Sequence, residues 1–164
     1  MSRLTLGKMH LDMAPVEMST VVAQTVAMIR PQADSKHIAL NLTLPRDPCV
    51  VQGDPLRIQQ ICWNLFSNAV KFTPDGGHVD VELLRHDGTV RLCVDDDGDG
   101  ISAEVLPRIF EPFRQGSGAA AKGGLGLGLS IVRQLVKMHR GEVEALSEGA
   151  GKGARFVVRL PASE

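Results

Sequence analysis

The chain has 164 residues, 43% hydrophobic and 23% charged, with a formal net charge of −1, enough for one globular domain with an ordinary core. That charge leaves no basic footprint for nucleic acid or anionic membrane, and no apolar run reaches the roughly eighteen residues of a spanning helix. Lys8, His10, Asp12 and Glu17 interrupt any leader-like apolar core, and Cys49, Cys62 and Cys93 lack zinc spacing, reading as buried thiols of a cytosolic protein.

Residues 1–14 show little periodicity and read as a linker, with the domain proper over 15–161 and a tail at 162–164. Met18, Val22, Val26 and Ile29 recur at helical spacing, predicting a helix that ends near Pro31. The segment 38–44 (IALNLTL) alternates and predicts a strand, with a short one at Val50–Val51. Asp54 before Pro55 is an N-cap followed by Pro at the first helical position, so a helix starts there and runs to about Phe72, where TPDGG stops it. Alternating Val79, Val81, Leu83 and Val90, Leu92, Val94 flank a His86-Asp87-Gly88 turn and predict an antiparallel hairpin. Ser102 is placed to cap a short helix towards Leu106; GSGAAAKGG over 116–124 is low-complexity. A helix over about 126–139 and strands near 142–146 and 155–160 complete the chain. The order repeats no βαβ unit, so the expected class is α+β, a two-layer sandwich with a mixed sheet and helices on one face.

The stretch VDDDGDGIS, 94–102, has two chemical readings. D-x-D-x-D-G from Asp95 is the front half of a calcium loop, but its twelfth position is Leu106 instead of a bidentate Glu and a strand leads into it. D-x-G-x-G from Asp96 presents one carboxylate beside closely approached backbone, and an exposed acidic turn is the plain alternative. On the Pro55–Phe72 helix, Arg57, Gln60, Asn64, Asn68 and Lys71 fall within an arc of about 80°. Two mid-helix Asn are unexpected on a merely solvated face, because their amides compete with the helix for backbone groups. Amide oxygens suit magnesium and a Lys suits phosphate. GLGLGLSI, 124–131, opens a helix whose first amides attract phosphate. GSGAAAKGG only superficially resembles a phosphate loop, with Ala121 where the second Gly belongs.

In this order these segments resemble the ATP-binding catalytic domain of two-component sensor histidine kinases, in the superfamily shared with gyrase and the mismatch-repair ATPases. QQICWNLFSNAVKFTP resembles that family's N box, VDDDGDGI its first glycine box, IFEPFRQ its phenylalanine box and GLGLGLSIV its second glycine box; the likeness runs from about Pro15 to Pro161. The resemblance implies a Bergerat sandwich that binds ATP and magnesium. Asp96 would accept from the adenine amino group, with Gly98 and Gly100 letting backbone pass the base. Asn68, with Asn64 beside it, would hold magnesium, and Lys71 would reach phosphate. A lid would span roughly 113–124 with Arg114 as a phosphate contact. Gly124, Gly126, Leu127 and Gly128 would line the phosphate end, with Leu127 and Ile101 as packing groups.

Two departures qualify the likeness. Hydrolysing members carry a Glu base where Asn64 stands, so the resemblance implies transfer to a protein acceptor over hydrolysis. Ala154 replaces a Thr common in the closing turn. No catalytic side chain is assigned: His10, His37, His78, His86 and His139 all lack the S-H-E-[LI]-[RK]-x-P pattern of a phospho-acceptor and read as ordinary surface or partly buried residues. The implied partners are a separate dimerisation and acceptor domain and a response-regulator receiver, with no nucleic acid, no direct membrane contact and a monomeric fragment. Rival readings are a serine kinase of the anti-sigma-factor type, a docking module without turnover, and an ATPase.

Overall fold

The structure is a computed structural model that describes residues 10–112 and 128–163. Its elements are β1 (Ala14–Glu17), α1 (Met18–Ser35), β2 (Ala39–Thr43), β3 (Val50–Gly53), α2 (Pro55–Phe72), β4 (His78–His86), β5 (Thr89–Asp96), a 3-10 turn (Leu106–Arg108), α3 (Gly128–Met138), β6 (Glu142–Leu146) and β7 (Ala154–Pro161). The main sheet has the order β2-β4-β5-β7-β6, parallel between β2 and β4 and antiparallel elsewhere; β1 and β3 pair separately. This is the expected mixed-sheet α+β sandwich.

Period-two patterning decides which face of the sheet is covered. Val79, Val81 and Leu83, Val90, Leu92 and Val94, and Phe156, Val158 and Leu160 are buried, and α1, α2 and α3 lie over them with α2 central. Each such side chain contributes roughly 1.5–3 kcal/mol by leaving water. On the other face Asn41 bonds Asp80, and Arg155 pairs with Asp95 and Arg159 with Glu144. The hairpin turn is as expected, with Asp87 and Gly88 at φ 50° and 74°, the left-handed pair that joins twisted strands.

Three expectations need correction. The first helix does not stop at Pro31 but carries it inside and continues to Ser35. Proline removes one helical hydrogen bond, but the apolar stripe of Met18, Val22, Val26 and Ile29 extends to Ala33, which is fully buried. Strand β1 is missing from the expected elements, because its four residues, APVE, are too short to show alternation. Ser102 caps as expected, its hydroxyl accepting from Val105 N at 3.4 Å, but what it opens is mostly a turn: its carbonyl accepts from Val105 and Leu106, and helical geometry reaches only the three residues from Leu106 to Arg108.

Candidate functional site

The C-terminal end of α2 organises the site. The end of a helix leaves carbonyls without partners in the ladder, and here each of the last four of α2 is satisfied. Ala69 O accepts from the Thr73 amide at 3.1 Å and the Thr73 hydroxyl at 2.7 Å. The Lys36 ammonium, from the turn after α1, donates to Val70 O at 2.7 Å and Lys71 O at 3.2 Å, a cation where the helix dipole favours one. Phe72 O accepts from the Asp99 amide at 3.1 Å. The D-x-G-x-G turn is therefore anchored on the last carbonyl of α2.

Glycine permits that approach. A Cβ on Gly98 would collide with Phe72 O, and one on Gly100, at φ 72°, with Gly149 O. The β6–β7 turn closes over the other side: Gly151 N donates to Asp99 O at 2.6 Å and Gly153 N to Gly98 O at 3.2 Å. Ser147 ties the two turns together. Its hydroxyl accepts from Ile101 N and Gly149 N and donates to Gly153 O at 2.7 Å.

Strand alternation sets Asp96 apart from Asp95 and Asp97. Asp95 faces the outer surface and holds Arg155 through two contacts of 2.6 and 3.1 Å. Asp97 accepts from His78 N at 2.8 Å and lies 3.0 Å from His78 Nδ1. Burial pushes its carboxyl up, but the bonds from His78 outweigh that and leave it below the ordinary range. Asp96 alone follows Val90, Leu92 and Val94 onto the helix-covered face of β5. Burial raises its carboxyl to about 6, against the opposing pull of the Gly98 and Ala154 amides. Of the carboxylates a calcium loop would use, Asp95, Asp97 and Asp99, the first is paired with Arg155 and the second bonded to His78, and among the described residues no group of three acidic, His or Cys side chains gathers around a metal position. The Ala154 contact comes from its backbone amide, so it does not need the Thr side chain absent there.

The polar edge of α2 lies next to this turn. Asn64 and Asn68 are half-buried, one helical turn apart on a common face. Asn64 Nδ2 donates to Gly128 O at 3.2 Å, bringing the first residue of α3 to the same edge. The Lys71 ammonium sits 5.5 Å from the centroid of the Phe72 ring. Phe110, from IFEPFRQ, meets Phe156 edge-on with centroids 6.2 Å apart. Ile101 is buried among core groups, as its reading as a packing residue requires. Asn64, Asn68, Lys71, Asp96, Gly98, Gly100 and Gly128 thus converge around α2; Arg114, Gly124, Gly126 and Leu127 lie outside the described residues.

The cysteines take no part: all three are buried, and burial pushes the Cys62 thiol to about 12. Two contributors escaped the sequence reading. Ser147 is an unremarkable Ser before a glycine turn, and Lys36 acts on carbonyls more than thirty residues away. His139, read as surface or partly buried, is only 4% exposed.

The model of the histidine kinase-, DNA gyrase B- and HSP90-like ATPases matches residues 53–164. The histidine protein kinase DivJ of Caulobacter vibrioides is 36% identical over 98% of this chain, and the alginate biosynthesis sensor protein KinB of Pseudomonas aeruginosa 32% over 98%. The chain spans only 27% and 26% of the lengths of those two relatives. Among solved structures, the mycobacterial sensor histidine kinase MprB superposes with a TM-score of 0.83 at 30% identity, covering 91% of this chain and 98% of that one. ShkA, solved at full length in complex with AMPPNP, has a TM-score of 0.83 at 34% identity, covering 96% of this chain and 33% of that one. The chain belongs to the histidine kinase-, DNA gyrase B- and HSP90-like ATPase family, and its relatives there are sensor histidine kinases.

Proposed function

We propose that this domain binds ATP with magnesium and donates the γ-phosphoryl group to a histidine on a separate dimerisation domain, for relay to a receiver domain. The observation that carries the reading is Asp96, a partly buried carboxylate on the helix-covered face of the sheet that, among the described residues, makes none of the ion pairs that occupy Asp95 and Asp97. It is an acceptor suited to an adenine amino group, with Gly98 and Gly100 leaving room for the base. The ShkA complex with an ATP analogue supports the same ligand class.

The α2 edge fits a magnesium ion carried on phosphates. Neutral amide oxygens from Asn68 and Asn64 add hard donors without adding negative charge beside a polyanion. Magnesium there would neutralise charge on the transferring phosphoryl oxygens. Lys71 supplies a point charge, and the start of α3 at Gly128, held to Asn64, presents helix-terminal amides. Asn64 donates a hydrogen bond where a hydrolytic base would need to accept a proton, so the edge provides for orienting phosphate, not activating water. Positioning and electrostatics would do the work, with the nucleophile brought by the acceptor domain.

Titration of wild type and Asp96→Asn with adenosine and Mg·ATP tests the reading. The variant is expected to lose both ligands at least a hundredfold, about 2.7 kcal/mol, while keeping its fold. Wild-type affinity should fall as pH drops through 6, because the acceptor form of Asp96 is lost. The empty domain behaves oppositely: a raised carboxyl contributes stability fully present below about 4 and lost as pH rises through 6. Unchanged affinity in the variant would overturn the adenine assignment. Transfer is checked by the phosphorylated product, acid-labile and base-stable for histidine and the reverse for serine.

A further inference from the structure

His139 has no place in the chemistry above, yet it is the most tightly specified histidine in the domain. It closes α3, is only 4% exposed, and both ring nitrogens are engaged. Nε2 lies 3.1 Å from the Asp54 backbone nitrogen, and Nδ1 lies 2.7 Å from Leu135 O. A backbone N–H can only donate, so Nε2 must be the bare nitrogen and Nδ1 must carry the proton. The ring is held as one neutral tautomer.

Its partner is the start of α2. Asp54 caps that helix, its Oδ1 accepting from Leu56 N at 3.1 Å and Arg57 N at 3.4 Å. Capping leaves the amide of Asp54 itself pointing away from the helix, and His139 is what receives it. Gly53 makes room: a Cβ there would stand 2.8 Å from His139 Cδ2 and 2.5 Å from Ile58 Cδ1. Helix α3 is thereby fastened to α2 at both ends, by Asn64 to Gly128 at its first residue and by His139 to Asp54 just past its last. Between these points Val132, Leu135 and Val136 make an apolar contact, which resists separation but not sliding along the helix axis.

We infer that His139 is a positioning residue that fixes the axial register of α3 against α2, and so sets where the first turn of α3 stands relative to Asn64 and Asn68. The inference rests on the proposed nucleotide reading for its functional consequence, though not for the anchoring itself. A slip of one residue would move the helix start by about 1.5 Å, enough to misplace amides meant for phosphate. The base end would be spared, because the Asp96 turn is anchored on Phe72 and the β6–β7 turn, neither of which touches His139.

The test compares two isosteres. His139→Gln carries an amide oxygen close to the Nε2 position and can accept from Asp54 N–H; His139→Asn reaches Leu135 O but not Asp54. Two readouts are taken at a temperature where both variants are folded: the ratio of Mg·ATP to adenosine affinity, and hydrogen exchange of the first-turn amides of α3. His139→Asn is expected to weaken Mg·ATP about tenfold with adenosine unchanged, and to speed first-turn exchange by a similar factor. His139→Gln should restore both. Equal loss for the two ligands, a lowered melting temperature with an unchanged ratio, or Gln no better than Asn would overturn the role. Should wild type bind no nucleotide, the proposed function fails while the exchange comparison still decides the anchoring. Nitrogen NMR of the unaltered protein adds an independent check: the Nδ1–H tautomer supports the inference, and the Nε2–H tautomer or an imidazolium at neutral pH contradicts it.

Discussion

The two ends of the site are built by different means. At the Asp96 end backbone meets backbone: the 96–100 turn is pressed between Phe72 O and the 149–153 turn, with glycines wherever a Cβ would collide. At the α2–α3 end the connection is made by side chains, one amide from Asn64 and one imidazole from His139. Backbone packing tolerates little and holds one shape. Two side-chain bonds of about 1 kcal/mol each hold a helix in register while leaving it able to move. Under the proposed reading, a site that reads an invariant base and also admits and releases phosphate has reason to be stiff at one end and adjustable at the other.

Gly98→Ala attacks the stiff end most directly and should have the largest effect. The added methyl cannot avoid Phe72 O, so we expect a loss of about 1–3 kcal/mol of stability and adenosine binding weakened more than a hundredfold. Calorimetry and thermal melts read both, and near-normal binding would show that the turn can yield. Next comes Asn68→Ala at the adjustable end. It should remove most of the magnesium dependence of ATP binding, about a tenfold to hundredfold loss for Mg·ATP, with adenosine within twofold of wild type. Equal loss with and without magnesium would erase the distinction between the ends. Ser147→Ala is the smallest perturbation, removing the hydroxyl that joins the two turns. About 1–2 kcal/mol of stability and a fivefold loss of adenosine affinity are expected, with the Mg·ATP to adenosine ratio unchanged. A changed ratio would mean that Ser147 reaches the phosphate end.

How far the sequence foretold this depended on where the determining contacts lie along the chain. Both ends of α2 were legible because Asp54-Pro55 and Thr73-Pro74 carry their capping chemistry locally. The D-x-G-x-G turn was legible because closely spaced glycines report a backbone with no room for side chains. Pro31 misled because a local breaker was outweighed by burial of Ala33, a tertiary effect. His139 and Lys36 could not be read, since each meets a backbone group far away in sequence: an amide 85 residues off for His139, and carbonyls 34 and 35 residues off for Lys36. Side chains that satisfy distant backbone leave no spacing signature. The calcium-like spacing of DDDGDG shows the converse, a pattern whose first two acidic positions, Asp95 and Asp97, are taken up by Arg155 and His78 once the chain folds.

The central claim is that this acidic turn reads a nucleotide base and not a metal. Calorimetric titration of the purified chain with ADP and ATP, with and without magnesium and with calcium alone as control, tests it most directly. The account predicts nucleotide binding that magnesium strengthens and no heat from calcium. Calcium binding without nucleotide binding would contradict it.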